Sequence, residues 1–308
     1  MLKFGLIGYP IAQSLSPALF KAAYKGKYTY DLIEGEDFEK SWRRFLEEYD
    51  AINVTAPFKE EAFYQAAGLT RDGLGTISGP CFKIKATNLA VKTPNGIEAH
   101  NSDFTGVILS VAETYFPGLV RQCYAQFGAK AHIKIHQFVR QRLIQLFKQQ
   151  PQALIIGCGG AGKAAAVAAA EMGFSTALMN RTVEKAKELA SGLPEYGFID
   201  VPITDFQAAF RECDLIIYTL PVSLPETALL NEDDFRGEDN GAPKVVLEAN
   251  YKDPAFAGQI SDTLKKSGCR YISGKSWLLG QAVSGYGTMC GEEPDIDAMT
   301  AVIKSISL

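Results

Sequence analysis

The chain has 308 residues, 47% of which are hydrophobic, and a formal net charge of −4 at pH 7. This length is sufficient for two domains of ordinary size, and the slightly negative charge gives no general attraction to nucleic acid or to anionic membranes. The six cysteines have neither the spacing of metal ligands nor that of a disulfide framework, and no apolar stretch is long enough to span a membrane. With a strand-like run directly after Met1 and no basic leader, we expect a globular cytoplasmic protein with reduced thiols.

The N-terminal third alternates short apolar strands with helical segments, a pattern typical of an α/β domain. The predicted strands span residues 4–7, 28–33 and 51–54, and the predicted helices span residues 17–24 and 37–48. Ligands in open α/β sheets bind at the carboxyl ends of the strands. The segments after the first and third strands are therefore candidate binding loops.

The loop after the first strand carries Ser14 and Ser16 directly before Pro17, a residue suited to the first turn of a helix. Two hydroxyls at positions i and i+2 beside a helix N-terminus can hold a small carboxylate. Ser16 could instead be a simple helix cap, an explanation that suits Ser14 less well.

The stretch after the third strand, residues 53–59, reads Asn-Val-Thr-Ala-Pro-Phe-Lys. It ends in Lys59, directly before a predicted helix over residues 60–67. This lysine is either a functional group at the carboxyl end of a strand or a solvated residue at the start of the helix.

The segment of residues 113–150 is unusually basic. No acidic residue occurs between Glu113 and Glu171, and apolar residues at helical spacing over residues 135–146 predict an amphipathic helix. This helix could pack its apolar stripe at the domain junction as a structural addition, or it could present its basic face to a partner. His132 and His136 are four residues apart but have no third ligand, so we predict no metal site.

A dinucleotide-binding motif follows this basic segment. The apolar strand of residues 153–156 leads into the sequence G-C-G-G-A at residues 157–161, and an alanine-rich helix follows over residues 164–172. Such glycines permit a tight turn, a close approach of the backbone to a pyrophosphate, and packing of the helix on the strand. The predicted cofactor-binding residues in this loop are Gly157, Gly159, Gly160 and Ala161.

The tripeptide after the second strand of this unit indicates which cofactor binds. Enzymes that use NAD usually have Asp or Glu at this position, whereas Asn180 carries no charge that would repel a 2′-phosphate. Arg181 can contact a phosphate or lie against the adenine, and Thr182 adds a hydroxyl donor. The tripeptide therefore favours NADP over NAD, unless Arg181 simply begins a solvated helix.

Seven motifs in order along the chain resemble those of the shikimate dehydrogenase family. They are the serine pair, residues 53–59, residues 86–88, residues 101–106, residues 157–161, residues 180–182 and residues 274–281. The resemblance extends over nearly the whole chain except residues 113–150. It implies an NADP-dependent oxidoreductase of aromatic amino acid biosynthesis, within the chorismate pathway, that interconverts 3-dehydroshikimate and shikimate or a close ring carboxylate such as quinate.

The resemblance further implies that Lys59 and Asp103 are the catalytic residues. Hydride reduction of a ketone leaves a developing alkoxide, which an ammonium group can stabilise and protonate. Asp103 would hydrogen-bond Lys59 and a neighbouring substrate hydroxyl, and so keep the lysine charged and oriented. The alternative for Asp103 is a cap on a helix that begins near Phe104.

The substrate contacts come from the same residue-by-residue transfer. The predicted substrate-binding residues are Ser14, Ser16, Thr55, Asn88, Tyr251 and Gln281. Some positions depart from the pattern of the family. Leu89 follows Asn88 where a threonine is usual, Ser102 replaces another threonine, and Phe20 stands in place of a histidine. Tyr218 and Leu220 change the loop expected beneath the nicotinamide, so these departures affect hydroxyl specificity more than reaction type.

We therefore predict an α/β protein with two domains. An N-terminal α/β substrate domain comprises residues 1–107 plus 275–308, and a Rossmann-type NADP-binding domain comprises residues 108–274. The C-terminal return is required because Gln281 must reach the same ligand as Ser14.

The expected partner is a small shikimate-like carboxylate, with no membrane or nucleic acid, and the expected state is a monomer or a homodimer. The alternative function is a non-catalytic ligand-sensing or regulatory protein on the same fold. A sensor does not need a proton donor and its orienting carboxylate, and an acidic chain is poorly equipped for duplex DNA.

Overall fold

The chain divides into two units in a computed structural model that describes residues 2–237 and 242–305. The first unit comprises Met1–Gly106, Cys123–His132 and Leu279–Leu308, and the second comprises Val107–Gln122 and Ile133–Leu278. The sequence analysis assigned the whole of 113–150 to the cofactor domain, whereas Cys123–His132 belongs to the first unit. Tyr124 in this stretch is buried, and the charge of Glu293, in the same unit, acts on its hydroxyl. Helical periodicity predicted a helix over residues 135–146, which belongs to the second unit, but it gave no sign that the stretch before it belongs to the first.

The first unit is built on a mixed sheet. Its elements are β1 (Lys3–Gly8), α1 (Ser16–Ala23), β2 (Thr29–Glu34), α2 (Phe38–Glu48), β3 (Ala51–Val54), α3 (Lys59–Arg71), β4 (Gly75–Ile77), α4 (Gly79–Ile84), β5 (Leu89–Thr93) and β6 (Gly96–His100). The strand order is β2-β1-β3-β5-β6-β4, and β5 runs antiparallel to both of its neighbours. The three predicted strands and two predicted helices are confirmed to within about two residues.

The core of this unit explains why α2 forms where it does. Asp37 caps the helix by accepting a hydrogen bond from Lys40 N at 3.0 Å. Phe38, Trp42 and Phe45 recur at helical spacing and pack with the apolar side chains of β1 and β3. The helix therefore covers one face of the strands whose carboxyl ends lead into the candidate binding loops.

Three helices follow β6: α5 (Ser102–Tyr115), α6 (Leu119–Phe127) and α7 (Ala131–Leu146). The amphipathic pattern of α7 is confirmed in part, since Ile135, Val139 and Leu143 are fully buried. Phe138 was predicted in the same stripe but is 36% exposed. The buried stripe advances by four residues per step, which leaves Phe138 at its edge.

The second unit contains an entirely parallel sheet. The elements from here to the end of the chain are β7 (Gln152–Ile156), α8 (Gly160–Glu171), β8 (Ser175–Met179), α9 (Val183–Gly192), β9 (Ile199–Asp200), α10 (Phe206–Glu212), β10 (Leu215–Tyr218), β11 (Val245–Glu248), α11 (Gln259–Lys266), β12 (Arg270–Ile272), α12 (Gly274–Cys290) and α13 (Ile296–Ser305). Most of α12 and all of α13 belong to the first unit. The strand order is β12-β11-β10-β7-β8-β9. The order reverses between β7 and β10, which is the switch point where doubly wound sheets bind ligands. In the described ranges, no helix is long and apolar enough to cross a membrane.

A buried lysine lies in the second unit just before β11. Lys244 is 2% exposed, and its ammonium group donates to the carbonyl oxygens of Phe210, Arg211 and Asp234 at 2.8, 2.7 and 2.9 Å. Burial lowers the pKa of Lys244 to about 8, because removal from water disfavours the charged form.

This pKa predicts a specific dependence of stability on pH. Between the folded pKa of about 8 and the ordinary pKa of 10.5, the unfolded chain binds more protons at Lys244 than the folded chain, so the free energy of unfolding rises with pH. Urea unfolding should therefore show the wild type gaining stability relative to Lys244→Met from pH 8 to pH 10. Lys266→Met removes an exposed lysine and should show no such trend. A constant difference between the wild type and Lys244→Met would contradict this assignment.

Candidate functional site

The centre of the candidate site in the first unit is an ion pair between Lys59 and Asp103. Lys59 Nζ lies 2.6 Å from Asp103 Oδ2, and the two side chains are 21% and 2% exposed. Lys59 opens α3 directly after the loop that follows β3, and Asp103 lies in the first turn of α5. The structure thus brings together the two predicted catalytic residues, which are 44 positions apart in the chain.

Asp103 is not the cap of its helix. Asn101 Oδ1 accepts a hydrogen bond from Phe104 N at 3.2 Å, and Asn101 Nδ2 donates to Ala86 O at 2.8 Å. Asn101 is therefore the capping residue, and the Asp103 carboxylate is available to Lys59. Its position in the first turn also places this negative charge at the positive end of the helix.

Asn88 fixes the start of α5 from the other side. Its Oδ1 accepts from Ser102 N at 2.7 Å, and its Nδ2 donates to Ser102 Oγ at 3.1 Å. Asn53 Nδ2 in turn donates to Asn88 O at 3.3 Å. One amide hydrogen of Asn88 has no partner in these bonds. This hydrogen is available for the predicted contact with substrate.

The predicted carboxylate-binding serines contact each other. Ser14 Oγ donates to Ser16 Oγ at 3.2 Å, and Ser16 N donates to Ser14 Oγ at 3.2 Å. Ser16 is the first residue of α1, and the cap position is occupied by Leu15 without any side-chain cap bond. The simple capping explanation for Ser16 is therefore excluded, and the pair of hydroxyls lies at the helix N-terminus.

Thr55 and Gln281 belong to the same unit as the serines and the ion pair. Thr55 N donates to Ile7 O at 2.9 Å, and Tyr9 N donates to Ala56 O at 3.1 Å, which joins the loops after β1 and β3. Gln281 lies on α12 one turn before Gly285, and a Cβ built on Gly285 would be 3.4 Å from Ser102 Oγ. Since residues four apart share a helix face, Gln281 lies on the face of α12 that packs against Ser102.

Tyr251 is the one predicted substrate residue that belongs to the second unit. It lies in the loop after β11, where Asn250 Oδ1 accepts from Lys252 N and Asp253 N at 3.1 and 3.3 Å. The buried Glu248 accepts bonds from the backbone of Ala255 and Phe256. These bonds close the loop that carries Tyr251.

The glycine loop after β7 contains two kinds of glycine. A Cβ on Gly157 would lie 2.4 Å from Thr219 Oγ1, and a Cβ on Gly162 would lie 1.8 Å from Gly157 O. Both glycines are therefore required by packing within the loop. By contrast, a Cβ on Gly159 or Gly160 would meet nothing within 4 Å, so these residues border open space.

This arrangement fits a dinucleotide. Helix α8 begins at Gly160, and Gly159 at its cap position makes no side-chain cap bond, so backbone N–H groups at its first turn are available to an anion. The glycines bordering open space leave room for a pyrophosphate to approach the backbone. Ala161, in the first turn of α8, is partly exposed. We expect these groups to hold the pyrophosphate of a dinucleotide.

The three residues after β8, Asn180, Arg181 and Thr182, have different roles. Asn180 Oδ1 accepts from Cys158 N at 3.0 Å and its Nδ2 donates to Thr182 O at 2.8 Å, so Asn180 braces the glycine loop. Arg181 and Thr182 are exposed. The guanidinium of Arg181 makes no ion pair with any described residue, which leaves its charge available to a phosphate.

The departures from the family pattern are also accounted for structurally. Tyr218 is fully buried, donates to Val222 O at 2.7 Å and accepts from Leu224 N at 2.9 Å. Its hydroxyl therefore closes its own loop, and Leu220 contacts the position of Gly157. Leu89 is buried in the sheet, paired with Asn53 and His100.

The structure offers no metal site among the residues it describes, where no group of three His, Cys, Asp or Glu side chains converges. The side chain of His132 lies outside the described part. The sequence did not reveal the bracing roles of Asn53 and of two tyrosines, Tyr30 and Tyr286, because their contacts join residues distant in the chain. The cap of α5 is local, but the sequence pointed to Asp103 and not to Asn101.

A parallel sheet with a glycine loop at its switch point, and a separate α/β unit with a lysine–carboxylate pair, define a dinucleotide-dependent oxidoreductase class. Two family models match the chain: the shikimate dehydrogenase substrate binding domain over residues 6–73 and shikimate / quinate 5-dehydrogenase over residues 140–236. Together they cover more than half of the chain. The chain belongs to the shikimate dehydrogenase family, which confirms the predicted family and fold class.

Relatives and solved structures agree with this assignment. The shikimate dehydrogenase (NADP(+)) of Archaeoglobus fulgidus is 27% identical over 97% of this chain and 96% of its own length. The enzyme of the same name from Carboxydothermus hydrogenoformans is 25% identical over 97% of this chain and 95% of its own. The fold is also that of Thermus thermophilus shikimate 5-dehydrogenase in complex with NADP(H) and shikimate, with a TM-score of 0.72 at 22% identity over 99% of each chain.

The two kinds of glycine make a prediction that separates folding from cofactor binding. Gly162→Ala places a methyl group against Gly157 O and should cost about 2 kcal/mol of stability in urea unfolding. Gly160→Ala meets no protein atom and should fold as the wild type does, but it should weaken NADPH binding, because its methyl group occupies the space needed by the pyrophosphate.

Gly192→Ala serves as the control, since a Cβ there also meets nothing within 4 Å and the residue ends α9. It should leave NADPH affinity unchanged in a fluorescence titration. If Gly160→Ala bound NADPH as tightly as the wild type, the assignment of the open space to the cofactor would be wrong.

Proposed function

We propose that this chain catalyses the NADP-dependent interconversion of 3-dehydroshikimate and shikimate, or the same reaction on a close polyhydroxy ring carboxylate such as quinate. The observation that carries the proposal is the Lys59–Asp103 pair at 2.6 Å, with its carboxylate almost fully buried. Relatives named shikimate dehydrogenase (NADP(+)) over nearly the full length of this chain support it. A ligand sensor has no use for a buried carboxylate that orients an ammonium group, so the pair favours the enzyme.

The chemistry needed at the ketone matches this pair. Bound NADPH supplies the hydride. Lys59 Nζ donates a proton to the ketone oxygen as negative charge develops there, and its positive charge stabilises that oxygen in the transition state. Asp103 holds the ammonium group in place and keeps it charged.

The other residues of the first unit hold the substrate. The hydroxyls of Ser14 and Ser16, next to the N-terminus of α1, bind the ring carboxylate. Thr55, Asn88 and Gln281 bind ring hydroxyls, and Tyr251 is a further proposed substrate-binding residue.

The cofactor-binding residues act on separate parts of NADP. Gly159, Gly160 and Ala161 hold the pyrophosphate at the N-terminus of α8, and Gly157 forms the tight turn before them. Arg181 and Thr182 bind the 2′-phosphate, and Asn180 holds the loop in shape through its bond to Cys158 N.

The cellular setting completes the proposal. Cys81, Cys158, Cys213, Cys269 and Cys290 carry free thiols, as expected for a reducing compartment, and we place the enzyme in the cytoplasm. It acts on a small molecule, without nucleic acid, as a monomer or a homodimer.

The proposal is tested by following the formation of NADPH from NADP, or of NADH from NAD, at 340 nm with shikimate or quinate. We expect turnover of one of these acids with NADP. Lys59→Ala should lower kcat by roughly 10²-fold or more with a much smaller change in substrate affinity, because the interaction lost is strongest in the transition state. Asp103→Asn should also lower kcat, and the double variant should be little worse than the worse single one, because the two residues act as a unit.

Lys40→Ala removes an exposed lysine from α2 and should leave these constants unchanged. No turnover of either acid by the wild type would reject the proposed function. A Lys59→Ala enzyme in which only KM changes would show that the proton comes from another group.

Cofactor choice provides a second test. Arg181→Ala should weaken NADP binding far more than NAD binding, because only NADP loses a contact between a phosphate and a guanidinium. Lys187→Ala removes an equal charge from the exposed face of α9 and should affect neither strongly. Equal losses of affinity for NADP and NAD in Arg181→Ala would mean that this arginine does not bind the 2′-phosphate.

A further inference from the structure

Two tyrosines outside every motif of the family contact the residues that surround the proposed substrate site. Tyr286 on α12 donates a hydrogen bond to Ser16 O at 3.1 Å, and Tyr30 on β2 donates to Asn53 Oδ1 at 2.7 Å. Their ring centroids are 6.0 Å apart. The pair therefore links the serine loop to the asparagine that holds Asn88.

The hydroxyl of Ser16 also takes part in this network. It accepts from Ser14 Oγ at 3.2 Å, and Ser16 N donates to Ser14 Oγ at 3.2 Å. Tyr286 thus holds the carbonyl of the residue whose amide and hydroxyl both contact Ser14. A fixed carbonyl restricts the backbone position of Ser16 and so the position of its hydroxyl.

The network is enclosed by aromatic side chains. The ring of Phe20 lies 4.7 Å from that of Tyr30 and 4.8 Å from that of Tyr286, and Tyr286 is 2% exposed. Burial raises the pKa of both tyrosines well above the ordinary value, so both hydroxyls stay protonated at physiological pH. Hydrogen bonds are stronger in such a low-dielectric setting.

Helix α12 connects this network to the catalytic side of the site. Gly285, the residue next to Tyr286, packs against Ser102, which precedes Asp103 in the first turn of α5. Neighbouring residues of one helix therefore contact the serine pair and the start of α5. The separation between the carboxylate-binding hydroxyls and Asp103 depends on this helix.

We propose that Tyr286 is a positioning residue for the substrate carboxylate, which it places by fixing the carbonyl of Ser16. The inference rests on the proposed function, in which Ser14 and Ser16 bind that carboxylate. Tyr286 touches neither the reacting carbon nor Lys59 in this role. Its effect is therefore on affinity for the acid and not on the chemical step.

The test compares the wild type with Tyr286→Phe, which removes one hydroxyl and keeps the ring. KM for shikimate should rise about fivefold, the loss of one ordinary hydrogen bond, with kcat within about twofold of the wild type. The methyl ester of shikimate has no carboxylate charge, so its kcat/KM should be nearly the same for both proteins. In a Ser16→Ala background, Tyr286→Phe should add little, because its effect passes through Ser16.

Tyr24→Phe is the matched control, since Tyr24 packs on the same Phe20 ring but donates to Glu292 O at 3.2 Å. It should leave KM for the acid unchanged at a similar melting temperature. Tyr30→Phe provides a second variant of the network and should raise KM for both acid and ester, because Tyr30 also holds Asn53.

An unchanged KM in Tyr286→Phe, or an equal rise for acid and ester, would overturn the inference while leaving the proposed function intact. A wild type that turns over neither shikimate nor quinate would reject the proposed function and this inference with it.

Discussion

The buried carboxylate of Asp103 is the constraint on which the first unit depends. A charge with 2% exposure is stable only when it is paired and hydrogen-bonded, and loss of one partner of such a pair is strongly destabilising. Lys59 supplies the partner from the start of α3, and the first turn of α5 supplies favourable backbone dipoles. The fold must therefore bring these two helix starts together, and that requirement also places an ammonium group where a ketone can be reduced.

Neutral amides, rather than further charges, hold this pair in position. Asn53, Asn88 and Asn101 each use their side chains to bond backbone or hydroxyl groups around the start of α5. Hydrogen-bonded networks of neutral amides restrict a site to one geometry without altering its charge. The consequence is a site with a single ammonium–carboxylate pair at its centre and a rigid frame around it.

In the second unit, the glycine loop must both pack tightly and leave space for an anion, and different residues meet these two requirements. Gly157 and Gly162 are required by close packing between the loop, α8 and Thr219, whereas Gly159 and Gly160 border open space. Asn180 supports the loop from β8 through its bond to Cys158 N. A motif that reads as uniform in the sequence thus combines residues needed for folding with residues left open to an anion.

Local sequence determined β1, β2, β3, α1 and α2, the glycine turn and the order of the family motifs, because these depend on periodicity and turn chemistry within a few residues. It did not determine the antiparallel strand β5, the assignment of Cys123–His132 to the first unit, or the exposure of Phe138. Those features depend on packing between segments distant in the chain. The same is true of the site: Lys59 and Asp103 could be named from motifs, but the 2.6 Å pair and the contact of Tyr286 with Ser16 exist only after folding. A hydrogen bond between residues far apart in the chain leaves no periodic pattern in one sequence, so only the tertiary structure could reveal it.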